Sequence, residues 1–173
     1  RNGKLRFAEW NYGPMLWRMH NLQVLHSKKN VVFDDARVTI AYQNYDESRI
    51  DRARGSNTRN MQAEKVNAVS INFDANKKLG KGELFYGAEY DYNKVGSVGS
   101  KTNIATNAVT PAISRYPDGS TWSTSGVYGS YKINIVPALT LTGGLRYSYN
   151  TLNASFDTTF IKFPYQKAAL KDG

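Results

Sequence analysis

The stretch VYGSYKINIVPALTLTGGLRYSYN, Val127–Asn150, decides the fold class because its side chains alternate with a period of two. Apolar residues occupy every second position before Pro137, and the alternation resumes over Leu139–Asn150. The link between the two runs, Val136 to Ala138, is short enough for a tight hairpin turn. We therefore predict two antiparallel strands, each with one apolar and one polar face.

The same alternation recurs earlier in the chain. Leu84–Asn93, Val69–Phe73 and Val38–Gln43 each place apolar and polar residues on opposite faces, and the polar segment 74–82 between two of them reads as a turn. Residues 15–26 fit strand and helix periodicity about equally, and we predict a strand there.

The predicted connections alternate in length along the chain. Short turns at one end of the strands and long loops at the other are typical of a bacterial outer-membrane β-barrel. No apolar run approaches the roughly 18 residues of a membrane helix, but a barrel strand needs only about 9–11. The predicted fold class is therefore all-β: antiparallel transmembrane β-barrel strands with short periplasmic turns and long extracellular loops, in the bacterial outer membrane. The short or medium connections are 27–35, 74–82 and 136–138, and the long polar ones are 46–61, 94–121 and a segment after Asn150.

Tyrosines on the apolar faces are biased toward the long connections, whereas aliphatic residues lie toward the short turns. This bias is typical of an aromatic girdle at a membrane interface, although Tyr also favours strands in general. The girdle would consist of Tyr42, Tyr90, Tyr92, Tyr147 and Tyr149.

The opposite face is too polar for a packed core. Burying unpaired charges costs several kcal/mol each, and a water-filled or plug-filled lumen removes that cost. The charged residues of this face are Arg37, Glu83, Glu89, Asp91, Lys132 and Arg146.

Composition narrows the possible functions. The 173 residues include 23 Lys and Arg against 14 Asp and Glu, a net charge of +9 that favours anionic partners. The absence of Cys excludes disulfides and thiolate chemistry. The two histidines, His20 and His26, lack metal-ligand spacing, and no Ser-His-Asp set is credible with so few histidines. We therefore predict no catalytic residues, no metal ligands, no cofactor and no enzyme activity.

The arginine-rich segment Asp46–Met61 could contact nucleic acid, bind an anionic ligand or brace a loop. It holds four arginines but also three carboxylates, and no aromatic residue is interleaved between Tyr45 and Met61. Nucleic-acid contact segments keep their positive charge uncompensated, so we predict no nucleic-acid partner. Two interpretations of this segment remain. It is a solvated, ion-paired base of a loop, or it contacts an anionic ligand or lipopolysaccharide.

Four motifs in one order resemble the barrel of TonB-dependent outer-membrane receptors, in the group related to haem, siderophore and cobalamin uptake. The resemblance runs from about Trp10 to the C-terminus. The motifs are AYQNYDESRIDR (41–52), LFYGAEYDYNKVGS (84–97), SRYPDGS (114–120) and GVYGSYKI followed by LTLTGGLRYS (126–133 and 139–148).

The resemblance implies a barrel of about 22 strands with a plugged lumen. Residues 1–173 would then be part of a single outer-membrane barrel domain and supply about six strands. The plug domain and the N-terminal segment that contacts TonB would be missing from this chain. The start at Arg1 and the polar end KAALKDG agree with an internal fragment.

Position in the predicted strands and loops, read together with the resemblance, predicts roles for individual residues. Residues at strand ends and on the polar face would face the lumen or the plug, and residues in outer loops would contact substrate. The predicted substrate-binding residues are Arg54, Arg59, Arg115 and Tyr116. The predicted lumen-facing or plug-facing residues are Arg37, Gln43, Glu47, Arg49, Arg52, Glu89, Lys132 and Arg146.

The function implied is TonB-dependent import of a scarce small-molecule nutrient, with an iron complex such as a siderophore or haem as the expected cargo. The expected partners are outer-membrane lipid, lipopolysaccharide and the TonB complex. Two alternatives remain at this stage: a small complete outer-membrane barrel of eight strands used in adhesion or anchoring, and a soluble carbohydrate-binding β-sandwich.

Overall fold

The computed structural model describes residues 5–173 as one antiparallel sheet. The sheet runs β1-β3-β4-β5-β7-β8-β9, with β2 also paired to β3 and β6 also paired to β5. No described helix is long and apolar enough to cross a membrane. The strands are β1 (Phe7–Tyr12), β2 (Leu16–His26), β3 (Asp35–Ala53), β4 (Thr58–Leu79), β5 (Gly82–Asn103), β6 (Val109–Ala112), β7 (Ser120–Val136), β8 (Leu139–Ser155) and β9 (Lys167–Asp172).

The six predicted strands are all present, including the strand predicted over 15–26. β2 pairs with the first half of β3, and β1 pairs with its last five residues, so that both cover one long edge. Between them the Gly13 amide donates to the Ser48 carbonyl at 2.7 Å, which keeps the two short strands in line.

The polar segments predicted as long loops are mostly strand. β3 and β4 stay paired out to Asp51 and Asn60, and only residues 54–57 connect them. β5 likewise continues to Asn103 and β8 to Ser155. The alternation of these segments is hidden because both faces are polar outside a membrane. The backbone hydrogen bonds between the strands nevertheless continue through them.

The outer face, the one that carries Val38, Ile40 and Tyr42, is apolar over a limited height. Tyr42 pairs with Val69, and one step further from the short turns Asn44 pairs with Asn67. The Tyr42 hydroxyl and the Asn44 amide both donate to Asn67 Oδ1, each at 2.9 Å. The apolar band ends at the Tyr42 row, which also holds Tyr92 and which we call the girdle row. The other three predicted girdle tyrosines lie in the next two rows toward the short turns. These two rows are Ile40, Ile71, Tyr90, Ser125 and Tyr149, and then Val38, Phe73, Ala88, Val127 and Tyr147.

A second set of tyrosines lies toward the short turns, where the sequence pattern placed only aliphatic residues. The Tyr86 hydroxyl donates to the Val32 carbonyl at 2.8 Å, and the Tyr131 hydroxyl to the Leu79 carbonyl at 2.7 Å. The outer face therefore has aromatic residues at both ends of its apolar band. On β5 the stretch Leu84–Tyr92 runs from the position paired with Tyr131 to Tyr92. Its length matches the roughly 9–11 residues that a tilted strand needs to cross a bilayer.

The short connections close as hairpins at one end of the sheet. Gly80 and Lys81 join β4 to β5, and Gly80 has a φ of 61°, which favours glycine. Pro137 and Ala138 join β7 to β8. The inner face, opposite the apolar band, carries the polar side chains that line the lumen of a barrel.

Candidate functional site

The inner face holds a pocket of about 570 Å³ on the strand extensions beyond the girdle. We call it the upper pocket. Most of its wall comes from inward-facing residues of β3, β4, β5, β7 and β8, and its roof from the segment 113–119. Its lining residues are Tyr45, Glu47, Glu64, Val66, Val95, Arg115, Tyr116, Pro117, Ser120, Trp122, Leu152, Ala154 and Phe156.

The roof is fixed to β5 by polar contacts to a buried serine. Ser97, 2% exposed, donates its amide to Asp118 Oδ1 at 2.9 Å and accepts the Tyr116 amide on its hydroxyl at 3.2 Å. The Gly119 amide donates to the Val95 carbonyl at 2.9 Å. The motif SRYPDGS is thus a structural clamp that brings Arg115 and Tyr116 over the pocket.

One corner of the upper pocket is charged. Glu47 accepts a hydrogen bond from the Tyr45 hydroxyl at 2.8 Å, and its Oε1 lies 3.9 Å from both Arg49 Nη2 and Arg115 Nη1. Glu64 lies directly opposite Glu47 on the neighbouring strand. Burial raises the pKa of Glu64, the Arg115 charge opposes this, and the Glu47 charge reinforces it. Two facing carboxylates and two arginines thus meet at the pocket wall.

The four predicted substrate-binding residues do not form one site. Arg115 and Tyr116 line the upper pocket, with the Arg115 guanidinium 5.2 Å from the Tyr116 ring centroid. Arg54 is exposed in the connection between β3 and β4. Arg59 lies on the outer face, where its Nε donates to Glu9 Oε2 at 2.7 Å. Arg54 and Arg59 are therefore separate from the pocket.

Arg52 differs from the other predicted lumen-facing residues, and its assignment needs correction. Its even position on β3 places it on the outer face with Ile50 and Tyr42, because side chains alternate along a strand without a bulge between them. Arg52 Nε donates to Glu9 Oε1 at 3.0 Å. The structure places the remaining seven on the inner face: Arg37, Gln43, Glu47, Arg49, Glu89, Lys132 and Arg146.

Arg146 and Glu89 form an ion pair across β7, on the inner face below the upper pocket. Arg146 Nη1 also donates to Glu89 Oε2 at 3.2 Å, and Arg146 Nε donates to Ser148 Oγ at 2.9 Å. In the ladder Gly126 lies between Glu89 and Ser148, and Arg146 reaches across it from the neighbouring position on β8. A Cβ there would come within 2.8 Å of Arg146 Nη2, so the missing side chain makes room for the pair.

Sequence reasoning missed several residues of the pocket. Glu64 and Trp122 lie just past the predicted polar connections 46–61 and 94–121, in stretches assigned to no strand, and Leu152 and Phe156 follow the last predicted strand. A signal was present: Glu64, Val66 and Gln62 continue the inward parity of β4. Extending the strand register beyond the apolar band would have found them.

The described residues 5–173 contain no group of three or more His, Cys, Asp or Glu side chains arranged to hold a metal ion. The pocket's potential ligand-binding groups are therefore hydrogen-bonding, charged and aromatic side chains.

The family model for TonB dependent receptor-like β-barrels matches residues 3–168. The chain belongs to this family. As a TonB-dependent receptor barrel segment, it is an outer-membrane protein and not an enzyme. No curated protein matches the chain.

A solved structure of the copper transporter OprC has a similar fold. The TM-score is 0.78 at 13% sequence identity, and the match covers 94% of this chain but 27% of OprC. At this identity the likeness concerns the fold alone. The receptor segment thus spans about a quarter of the length of that protein.

Both alternative architectures are corrected by these findings. A β-sandwich needs two packed sheets, whereas the described strands form one sheet. An eight-stranded complete barrel needs a closed sheet, whereas the order of the described strands runs from β1 to β9 without closing. The described sheet is a section of a barrel wall.

Proposed function

We propose that the receptor containing this segment imports a scarce nutrient across the outer membrane, with energy delivered through TonB. An iron complex, either a siderophore or haem, is the proposed cargo. The observation that carries the proposal is the upper pocket, because it lies on the inner face beyond the apolar band, where cargo arriving from outside would first meet the barrel wall.

The inner face supports a transport role below the pocket. Some of its charged side chains pair with each other within the wall, as Arg146 and Glu89 do. Such paired charges can face either water or a plug domain, because neither partner is left buried and unpaired. In the proposed mechanism the outer loops capture cargo, and a plug rearrangement driven through TonB then opens a path along this face.

The pocket lining suits an organic complex better than a bare ion. Ligand pockets are mostly apolar with a few polar groups that fix orientation, and the upper pocket combines Trp122, Leu152 and Phe156 with a charged corner. Siderophores and haem enclose their iron in such organic groups. Copper, the cargo in the name of OprC, is the alternative that an experiment must include.

Lipid and lipopolysaccharide are the proposed partners of the outer face. Lys65 and Lys94 are exposed just beyond the girdle row, at the height expected for anionic headgroups. Arg54 is a proposed contact for cargo or lipopolysaccharide. A charge-reversing Arg54→Glu substitution that altered neither binding would leave Arg54 as an ordinary loop residue.

Uptake by whole cells tests the transport proposal. We expect deletion of the parent gene to abolish energy-dependent uptake of at least one ferric siderophore or of haem, and deletion of TonB to give the same loss. Cells are assayed with radiolabelled ferric siderophores, haem, cobalamin, copper and oligosaccharides. Unchanged uptake of all of them would refute transport, and a loss confined to copper would refute the iron cargo alone.

A further inference from the structure

The upper pocket contains one carboxyl group that is bonded to nothing in residues 5–173. Glu64 is 6% exposed, and neither of its oxygens has a hydrogen-bond partner. Its neighbour Glu47 differs, because Tyr45 donates to it and both Arg49 and Arg115 approach it. Glu64 is therefore a buried acceptor whose partner must come from outside these residues.

The surroundings of Glu64 favour a cationic partner. Glu47 faces it directly across the β3–β4 ladder, and like charges in that position destabilise each other. Arg49 and Arg115 approach Glu47 to 3.9 Å, neither reaches hydrogen-bond distance of Glu64, and the buried Arg49 Nε is itself without a partner in the described residues. Burial raises the pKa of Glu64, and the Glu47 charge adds to this, while the Arg115 and Arg49 charges oppose it without bonding to the carboxyl. The charged form therefore still gains from a cationic donor at hydrogen-bond distance.

The rest of the pocket favours an apolar group attached to that cation. Val66 and Val95 neighbour Glu64 on β4 and β5, and Trp122, Leu152 and Phe156 continue the lining along β7, β8 and the residue after β8. Aromatic faces also attract an ammonium group, and the pocket offers two of them, Trp122 on β7 and Tyr116 on the roof. The volume of about 570 Å³ lies within the roughly 300–1,000 Å³ range of small-molecule sites.

We propose that the upper pocket binds the apolar, amine-bearing arm of an organic ferric chelate, with the protonated amine donating to Glu64. The arm lies against the wall of Trp122 and Leu152, and its amine replaces the missing partner of the buried carboxyl. This inference rests on the proposed function, and it specifies the chemical class of the cargo.

Binding to the full-length receptor in detergent tests the proposal. The probes are ferrioxamine B, a ferric trihydroxamate whose apolar chain ends in a free amine, and the same chelate with that amine acetylated. Equilibrium dialysis with radiolabelled iron gives both dissociation constants. We expect Glu64→Gln to weaken binding of the amine chelate by about tenfold or more, as for a hydrogen bond to a charged group, and to change binding of the acetylated chelate by less than about twofold.

Glu83→Gln is the matched control. Glu83 also lies on the inner face and accepts a hydrogen bond from Asn76 at 2.7 Å, but it is near the short turns and outside the upper pocket. We expect this variant to bind both chelates as the wild type does. Heat-modifiable electrophoretic mobility verifies that each variant forms a folded barrel.

The remaining outcomes would overturn the inference. Equal weakening of both chelates by Glu64→Gln would assign Glu64 a structural role, and no weakening would mean that water or another part of the receptor, such as a plug domain, satisfies it. A wild-type receptor that binds neither chelate would also overturn the inference, while the uptake experiment decides separately whether the protein transports iron.

Trp122→Ala provides a second, independent variant. Because the apolar arm is common to both chelates, we expect this substitution to weaken both by a similar factor. Unchanged binding of both would exclude the upper pocket as the site, even if Glu64→Gln had reduced binding through an effect on folding.

Discussion

At the scale of single residues, glycines on the inner face allow side chains to cross between strands. Tyr128 passes over Gly87 to donate to Asp74, just as the Arg146–Glu89 pair passes over Gly126. The sequence shows these glycines as gaps in an alternating pattern, which usually weaken a strand. Their use becomes clear only from the register, which places each glycine between two polar partners.

Substituting Gly87 tests this use. We expect Gly87→Ala to lower the free energy of unfolding by about 1–3 kcal/mol, because its Cβ would overlap the Phe73 carbonyl and the Tyr128 hydroxyl. Gly143→Ala is the control, since a Cβ at Gly143 meets no atom within 4 Å. Urea unfolding of the full-length receptor in detergent measures both, and equal stability of the two variants would contradict the argument.

The outer-face clamp of Glu9 with Arg52 and Arg59 makes a second residue-scale prediction. Hydrogen bonds from Arg59 and Arg52 lower the pKa of Glu9 from 4.5. A carboxyl with a lowered pKa stabilises the fold above its unfolded pKa, and this contribution is lost as pH falls through the folded value. We therefore expect β1 to loosen from β3 as the pH falls below about 4.5.

Hydrogen exchange of the Phe7–Tyr12 amides, corrected for the intrinsic effect of pH, measures this loosening. In Glu9→Gln we expect weaker protection at neutral pH and little further change on acidification. A wild-type profile that matched the variant at every pH would show that the clamp does not hold β1.

At the scale of elements, the strands are much longer than a membrane requires. β4 and β5 each have 22 residues, whereas about 9–11 cross a bilayer. Alternation marks only the part inside the membrane, because lipid on one side and the lumen on the other make the two faces chemically different. Outside it, water meets both faces, so the strands there read as polar loops in the sequence.

Two arginine substitutions on the outer face of β4 locate that boundary. We expect Ile71→Arg to destabilise the barrel by about 2–4 kcal/mol, because the charge would face the lipid interior. Met61→Arg, which has the same parity but lies well beyond the girdle row, should change stability by less than about 0.5 kcal/mol. Unfolding in lipid vesicles measures the free energy of unfolding of both variants. Similar losses of stability at the two sites would show that the apolar band does not lie where we assign it.

At the scale of the whole molecule, the sheet is a section of barrel wall with its two ends on opposite sides of the membrane. The upper pocket and the 54–57 connection lie at the end assigned to the exterior, and the hairpins at Gly80 and Pro137 lie at the periplasmic end. This orientation follows from the general arrangement of bacterial barrels, in which the short turns face the periplasm.

Cysteine labelling tests the orientation, because the chain has no cysteine of its own. In a parent receptor without other reactive cysteines, we expect Ser56→Cys to react with a membrane-impermeant maleimide on intact cells. Ala138→Cys should react only after the outer membrane is permeabilised. The reverse pattern would invert the barrel and place the upper pocket on the periplasmic side.

The sequence by itself determined the fold class, the parity of five of the six predicted strands and the approximate positions of the short turns. Period-two alternation is a local property of the chain. It arises because one face of each strand meets lipid and the other meets the lumen, so that residues such as Val38, Ile40 and Tyr42 are apolar at every second position. The resemblance, not the alternation, led to the prediction that Arg115 and Tyr116 bind substrate, and it did not group them with Glu64 in a pocket.

Only the tertiary structure decided which distant residues meet. Glu9 contacts Arg52 and Arg59 from a different strand, and Glu64 is left without a partner because Tyr45, Arg49 and Arg115 all turn to Glu47. Which residues face each other across strands depends on pairing between segments that are far apart in the chain. The same pairing decides which side chains approach Glu47. No local pattern carries that information, so the pocket and its unbonded carboxyl emerge only once the strands are assembled.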